Sequence, residues 1–222
     1  MPTWQESSSR GLAKKSMKLI LTLATATALL TTVSAQSFVL NGDFESSPLA
    51  TTPSGSVDIG GSWTSNGIQL PVRLRGTSDG LAAYEGEHYV RFNGLGAPVG
   101  SGLEQTFITN IGQSYSVSYV IGASGTDGIS VGIHGEVVSA SNVVLGQADA
   151  STATLGWSAP TTFSFLATTG STKIRFTDIS PSTTGVDLNL DAVSVTAVSE
   201  PSTYAVLSGL ALVGFACWRR RH

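Results

Sequence analysis

The chain has 222 residues, enough for one domain of ordinary size once terminal signals are set aside. Only 12% of its residues are charged and its glycines number 25, a composition that suits an extracellular β-protein with many turns and argues against a helical enzyme. The formal net charge of -3 hides a segregation: from Ser37 to Ser199 there are 5 basic and 13 acidic side chains, a balance of -8, which repels phosphate backbones and excludes nucleic acid as a partner.

At the N-terminus, Lys18 precedes an apolar, threonine-dotted segment from Leu19 to Val33, and Val33-Ser34-Ala35 supplies the small residues a signal peptidase accepts. Cleavage is expected between Ala35 and Gln36, so residues 1–35 form a signal peptide. Either Met1 to Ser16 is an unusually long basic leader, or Met17 is the true start. The only cysteine, Cys217, lies near the other terminus, so the domain between has neither a disulfide framework nor a thiolate metal site.

Phe38-Val39-Leu40 predicts an apolar strand running into an Asn41-Gly42 turn and the acidic pair Asp43 and Glu45. After a loop rich in Ser, Thr, Pro and Gly, alternation with period 2 recurs down the chain and predicts strands with one buried face. His88, Val90 and Phe92 share one face, with Tyr89, Arg91 and Asn93 on the other. Leu103, Gln105 and Phe107 alternate with Glu104, Thr106 and Ile108. The clearest strand is Ser114 to Gly122, where Tyr115, Val117, Tyr119 and Ile121 form an aromatic and β-branched face. Ile129, Val131 and Ile133 predict another, and Val137 to Leu145 one or two more. Phe163 with Phe165, Ile174 with Phe176, and Val193 with Val195 mark three late strands. About eight short strands and no helical period imply an all-β, antiparallel jelly-roll sandwich over residues 36–198.

The tail has its own grammar. Ser199-Glu200-Pro201 precedes an uncharged run from Tyr204 to Trp218, which ends in Arg219-Arg220-Arg221. As a helix, its roughly 15 residues would span about 22 Å, short of a ~30 Å hydrocarbon core. Three arginines favour the cytoplasmic side, leaving the domain outside. Pro201 bars a helix from continuing backward and makes a hinge. This order resembles the PEP-CTERM sorting signal of exported bacterial proteins, closely in Glu200-Pro201-Ser202-Thr203-Tyr204-Ala205 and Trp218-Arg219-Arg220-Arg221, with Ser199 where the family name has a proline. The resemblance implies residues 199–222 as a signal with a short transmembrane helix, processing by an exosortase, a transient stay in the inner membrane, and delivery to the cell surface or matrix, often alongside exopolysaccharide.

A second resemblance spans nearly the whole mature domain. Asn41-Gly42-Asp43-Phe44-Glu45, Trp63, Gly112 to Tyr119, and Leu190-Asp191-Ala192-Val193-Ser194-Val195 are similar to a galactose-binding-like jelly roll of the carbohydrate-binding-module kind. It implies sugar binding, and in some members a structural calcium held where first and last strands pair. Here that would bring Asp43 and Glu45 to Asp191. The alternative places Asp43 in its turn and Asp191 on backbone amides, with no cofactor required.

Tyr84, Tyr89, Arg73, Arg75 and Asn93 are the candidates for a pyranose, whose apolar face meets an aromatic plate and whose rim meets hydrogen-bonding groups. Trp63 and Trp157 are alternative stacking groups for a sugar, but their strand contexts favour core positions. No catalytic constellation is legible. Glu85 and Glu87 flank Gly86 in a turn pattern, His88 and His134 lack partners at metal-ligand spacing, and no Gly-x-Ser-x-Gly or phosphate loop occurs. The expected function is an exported, non-enzymatic surface or matrix protein whose sandwich binds polysaccharide. A structural matrix or adhesion component without a small ligand is the alternative, and an exported glycan-active enzyme a third.

Overall fold

The structure, a computed structural model, describes residues 36–46, 62–65, 72–76, 80–92, 99–182 and 184–198, together with positions 209 and 219. Eleven strands follow in chain order: β1 (Thr64–Ser65), β2 (Arg73–Gly76), β3 (His88–Arg91), β4 (Gly102–Ile108), β5 (Ser114–Gly125), β6 (Val131–Ser139), β7 (Val144–Thr152), β8 (Gly156–Trp157), β9 (Thr161–Leu166), β10 (Ser171–Asp178) and β11 (Val186–Ala197). All pair antiparallel. One sheet has the order β1-β4-β10-β6-β7. In the other the order is β2-β3-β11-β5-β8, with β9 also on β5, so that β8 and β9 share one edge of that long strand.

Strand alternation builds the core. Tyr115, Val117, Tyr119, Ile121 and Ala123 of β5 and Val186, Leu188 and Leu190 of β11 point inward. They face Leu103 and Phe107 of β4, Ile174 and Phe176 of β10 and Val131, Ile133 and Val137 of β6. Trp63 joins this core, its ring 5.7 Å from Phe44 and 6.3 Å from Phe176, and its indole N–H bonds to Asn41 O at 2.9 Å.

The outer face of the first sheet carries a row of ion pairs across four strands. Glu104 of β4 meets Lys173 at 2.7 Å and Arg175 at 3.2 Å, both on β10; Arg175 reaches Glu136 of β6 at 2.8 Å, and His134 meets Asp149 of β7. Opposite charges thus alternate along cross-strand neighbours, the arrangement that stabilises a solvated sheet face.

Several expectations are corrected. Phe38 to Leu40 is not a strand: the segment bends along β11, bonded through Phe38 N to Val195 O at 2.7 Å and Val193 N to Gly42 O at 2.9 Å. Two isolated bonds do not make a ladder. Gly42 is required there because a Cβ would stand 1.9 Å from Val193 O. Ile129 precedes β6 rather than lying in it, and Val137 to Leu145 comprises the end of β6, a turn and the start of β7. Trp157, expected in the core, is half-buried on the opposite face of its sheet.

Candidate ligand-binding face

The outer face of the second sheet follows from the same alternation. Residues between the inward ones are Tyr89 and Arg91 on β3, Asp187, Asn189 and Asp191 on β11, and Gly122 and Ser124 on β5. Trp157 pairs with Gly122 across the β5–β8 ladder. A Cβ at position 122 would come within 2.7 Å of the indole Cε3, so the absent side chain lets the ring lie directly on the sheet. The indole N–H donates to Ala82 O at 2.7 Å and fixes the ring's other end. Tyr84, 46% exposed, approaches it edge-on at 6.0 Å between centroids, and Tyr89 supports it at 5.6 Å.

Beside this aromatic group lies a polar floor. Arg91 donates through Nε to Asn189 Oδ1 at 3.2 Å and through Nη2 to Tyr89 Oη at 3.1 Å and Ser124 Oγ at 3.3 Å, and its Nη1 pairs with Asp187 at 3.3 Å. Asn189 donates in turn to Ser124 Oγ and to the carbonyls of Gly122 and Asp187. Burial raises the Asp187 carboxyl above the usual range, while Arg91 and Arg75 draw it back down. The side chains are held by one another, so the floor is preorganised.

Of the sequence candidates, the structure brings Tyr84, Tyr89 and Arg75 to this face, Arg75 being the register partner of Tyr89. Tyr89 is fully buried and backs the indole instead of serving as a plate. Arg73 pairs with Arg91 in the β2–β3 ladder. Asn93 lies outside the described residues, as do Ala35, Ser199, Glu200, Pro201, Arg220 and Arg221; Gln36 begins the described chain. Arg91, Asp187 and Asn189 are not among the sequence candidates, and Trp157 is weighed there as a stacking group but expected in the core. Tyr89 and Arg91 share a face in the strand pattern, which could have flagged the arginine, whereas a two-residue strand gives Trp157 no period.

The three carboxylates expected to share a cation turn to three sets of donors. Asp191 is fully buried; its Oδ2 accepts the amides of Tyr84 and Glu85 at 2.9 and 3.1 Å, and its Oδ1 that of Ala192 at 2.7 Å. Glu45 Oε1 accepts the amides of Glu87 and His88 at 2.7 and 2.6 Å, and Oε2 meets His88 Nδ1 at 2.9 Å. Burial lifts the Glu45 carboxyl, but these bonds from His88 and Glu87 hold it below its ordinary value. Exposed Asp43 accepts from Glu45 N in its own turn and lines, with Glu85, a groove of about 300 Å³ along Ala192 to Ser194. Among the described residues no three His, Cys, Asp or Glu side chains are placed to hold a metal. The three side chains do not converge on one cation: amides hold both Asp191 oxygens and Glu45 Oε1, and the His88 ring holds Glu45 Oε2.

After β11, Val198 bonds through its amide to Ser114 O at 2.9 Å, and the tail begins. Residues 197–221 match the PEP-CTERM protein-sorting motif. The PEP-CTERM motif implies an exported protein sorted at the membrane by an exosortase-type enzyme. Within its span the described positions Gly209 and Arg219 are helical, and among the described residues no helix is long and apolar enough to cross a membrane. No curated protein matches the chain.

Upstream of the PEP-CTERM motif the likeness is one of fold. The chain is similar to TmCBM61, solved in complex with β-1,4-galactotriose: TM-score 0.50, 16% identity, 74% of this chain and 100% of that one covered. It is similar also to an arabinose-bound α-L-arabinofuranosidase, MgGH51, at TM-score 0.50 and 14% identity, covering 75% of this chain and 27% of the enzyme. A family 22 carbohydrate binding module from Clostridium thermocellum Xyn10B aligns over 73% of this chain and 96% of its own, at 16% identity and TM-score 0.48. With the first two, the all-β antiparallel sandwich fold is the shared feature.

Proposed function

We propose that the domain is a non-catalytic polysaccharide-binding module, sorted to the cell surface or extracellular matrix, whose ligand lies across the outer face of the second sheet. The observation that carries this reading is half-buried Trp157 packed against Gly122 on the outer face, beside the Arg91, Asp187 and Asn189 network. A pyranose has an apolar face that stacks on an indole and hydroxyls that bond to carboxylate and phenol groups; half-buried Trp157, part-exposed Asp187 and exposed Tyr84 offer these, while buried Arg91 and Asn189 form the support beneath. The likeness of the sandwich to a module solved with a galactotriose supports the class of ligand and leaves the sugar open.

Affinity electrophoresis and titration calorimetry of the full chain in detergent, against soluble galactan, arabinan, xylan and the exopolysaccharide of the producing cells, test the reading. At least one polysaccharide should bind, and Trp157→Ala should weaken it by about tenfold or more, since removing a ring that becomes buried costs roughly 1.5–3 kcal/mol. Binding indifferent to Trp157→Ala would move the site elsewhere. Absence of binding across the panel would favour a structural matrix component, and new reducing ends during incubation would favour an enzyme.

A further inference from the structure

The two ends of the sandwich differ in kind. At one end come the turns 109–113 between β4 and β5, 140–143 between β6 and β7, and 167–170 between β9 and β10, together with the exit of the chain at Val198. Hydrogen bonds tie them into one surface: Thr109 N to Gly170 O at 3.1 Å, Gly112 N to Ala167 O at 2.8 Å, Ala140 N to Thr169 Oγ1 at 3.4 Å, and Gln113 Nε2 to Val198 O at 2.8 Å. This end displays Ile108, 79% exposed, and Ile111, 72% exposed, with Val143, Val144, Leu166 and Val198 around them, each more than a third exposed. Stretches 105–114, 139–148, 161–172 and 192–199 contain no Asp, Glu, Lys, Arg or His. None of the acidic residues of the domain falls in these stretches; among the described residues Asp127, Asp178 and Asp187 belong to the opposite end. Large apolar residues gathered on an uncharged surface mark an interaction site.

We propose that this end of the sandwich seats on the lipid bilayer while the tail is in the membrane. The proposal rests on the PEP-CTERM reading of residues 197–221. Only five residues, 199–203, separate Val198 from the apolar run that starts at Tyr204, and at full extension they span roughly 20 Å. Whatever the orientation of the domain, the end that carries Val198 is therefore the one held at the lipid surface. Ile111 and Val143 are then within reach of the headgroup and acyl boundary, where apolar side chains gain by burial and an acidic rim would be repelled by anionic lipid. The seated end also sets the spacing of the candidate ligand face. Trp157 pairs with Gly122, eight residues along β5 from Ser114, so the indole stands roughly 26 Å away from the seated end.

The test uses the full chain in vesicles of phosphatidylethanolamine and phosphatidylglycerol. On a Cys217→Ser background, an environment-sensitive fluorophore is attached at Ile111→Cys, Val143→Cys or Asp127→Cys in separate proteins, with labelled native Cys217 as a fourth. Nitroxide lipids carrying the spin label at the headgroup should quench the labels at 111 and 143 at least threefold more than the label at 127. Acyl-chain nitroxides should quench the Cys217 label, which reports insertion of the tail. Equal quenching at 111, 143 and 127 with Cys217 quenched overturns the seating while leaving the tail reading intact. An unquenched Cys217 overturns the tail reading and the seating with it. Labels at 111 and 143 that are shielded from aqueous iodide but untouched by lipid nitroxide also overturn it, since the surface is then covered by a second copy or by the chain's own tail.

Discussion

Gly122 decides whether the indole of Trp157 can lie on its sheet. Gly122→Val should lift the ring, change the tryptophan emission and abolish polysaccharide binding, at a stability cost of about 1–3 kcal/mol for the forced contact. Emission and titration curves of the variant, set beside Trp157→Ala, check this; unchanged binding would mean the indole is not the plate. A second residue sets a pH response. Burial lifts the Asp191 carboxyl to about 6, against three amide bonds that pull it down and a nearby Glu85 that pushes it up. The native state therefore keeps its proton through a window in which the unfolded chain, with an ordinary value of 3.8, has lost it. More protons on the native side means that stability falls as pH rises from about 4 to 6, by on the order of 2 kcal/mol from this group. Glu45 and Glu104, held below their ordinary values, act the opposite way, so urea unfolding at pH 4 and pH 6 should show the parent losing more stability, or gaining less, than Asp191→Asn. Sequence alone pointed to Asp191 as a residue of consequence, because it closes a recognisable motif. It could not show the amides of Tyr84 and Glu85 arriving from more than a hundred positions away.

Among the elements, β11 is the one on which both faces of the argument meet. Its ladder with β5 slips between Asp191 and Ser194, and Ala192 sits there with φ at 51°, a conformation that costs a residue with a Cβ roughly 1–2 kcal/mol. Ala192→Gly should raise the unfolding free energy by about 0.5–1 kcal/mol, part of the relief being offset by the added freedom of the unfolded chain, as thermal or urea denaturation would record. The strands that were legible were those with one clean apolar face: β5, β10 and the inward residues of β4 appear where alternation placed them. β7 left little trace because most of its side chains are exposed or half-buried, and β1, β2 and β8 are too short for a period to show. Phe38 to Leu40 misled for the opposite reason. Its apolar side chains are used in part, Val39 in the core and Phe38 edge-on to Tyr115 at 5.1 Å, without a partner strand to complete a ladder.

For the whole molecule, amides in place of a cation carry a direct expectation. Chelator should leave the melting temperature of the full chain unchanged, and added calcium should not raise it, whereas an ion binding only the native state would stabilise by ~2.7 kcal/mol at a hundredfold excess over its dissociation constant. A calorimetric shift on adding chelator would show that the amide bonds to Asp191 and Glu45 give way to an ion. The fold class was legible because eight alternating segments without a helical period leave few alternatives. The candidate face was not, since it is assembled from four strands distant in sequence. One feature of that assembly bears on how the protein carries load. β11 supplies Asp187 and Asn189 at one end and leads to the sorting motif at the other, and it lies between β3 and β5 inside its sheet. If the proposed ligand is held at Asp187 and dragged by flow while the C-terminus is tethered, tension runs along the axis of β11. That path is covalent from residue 187 to the tail, so the bonds from β11 to β3 and β5 carry little of the load and the rest of the sandwich is spared the pull.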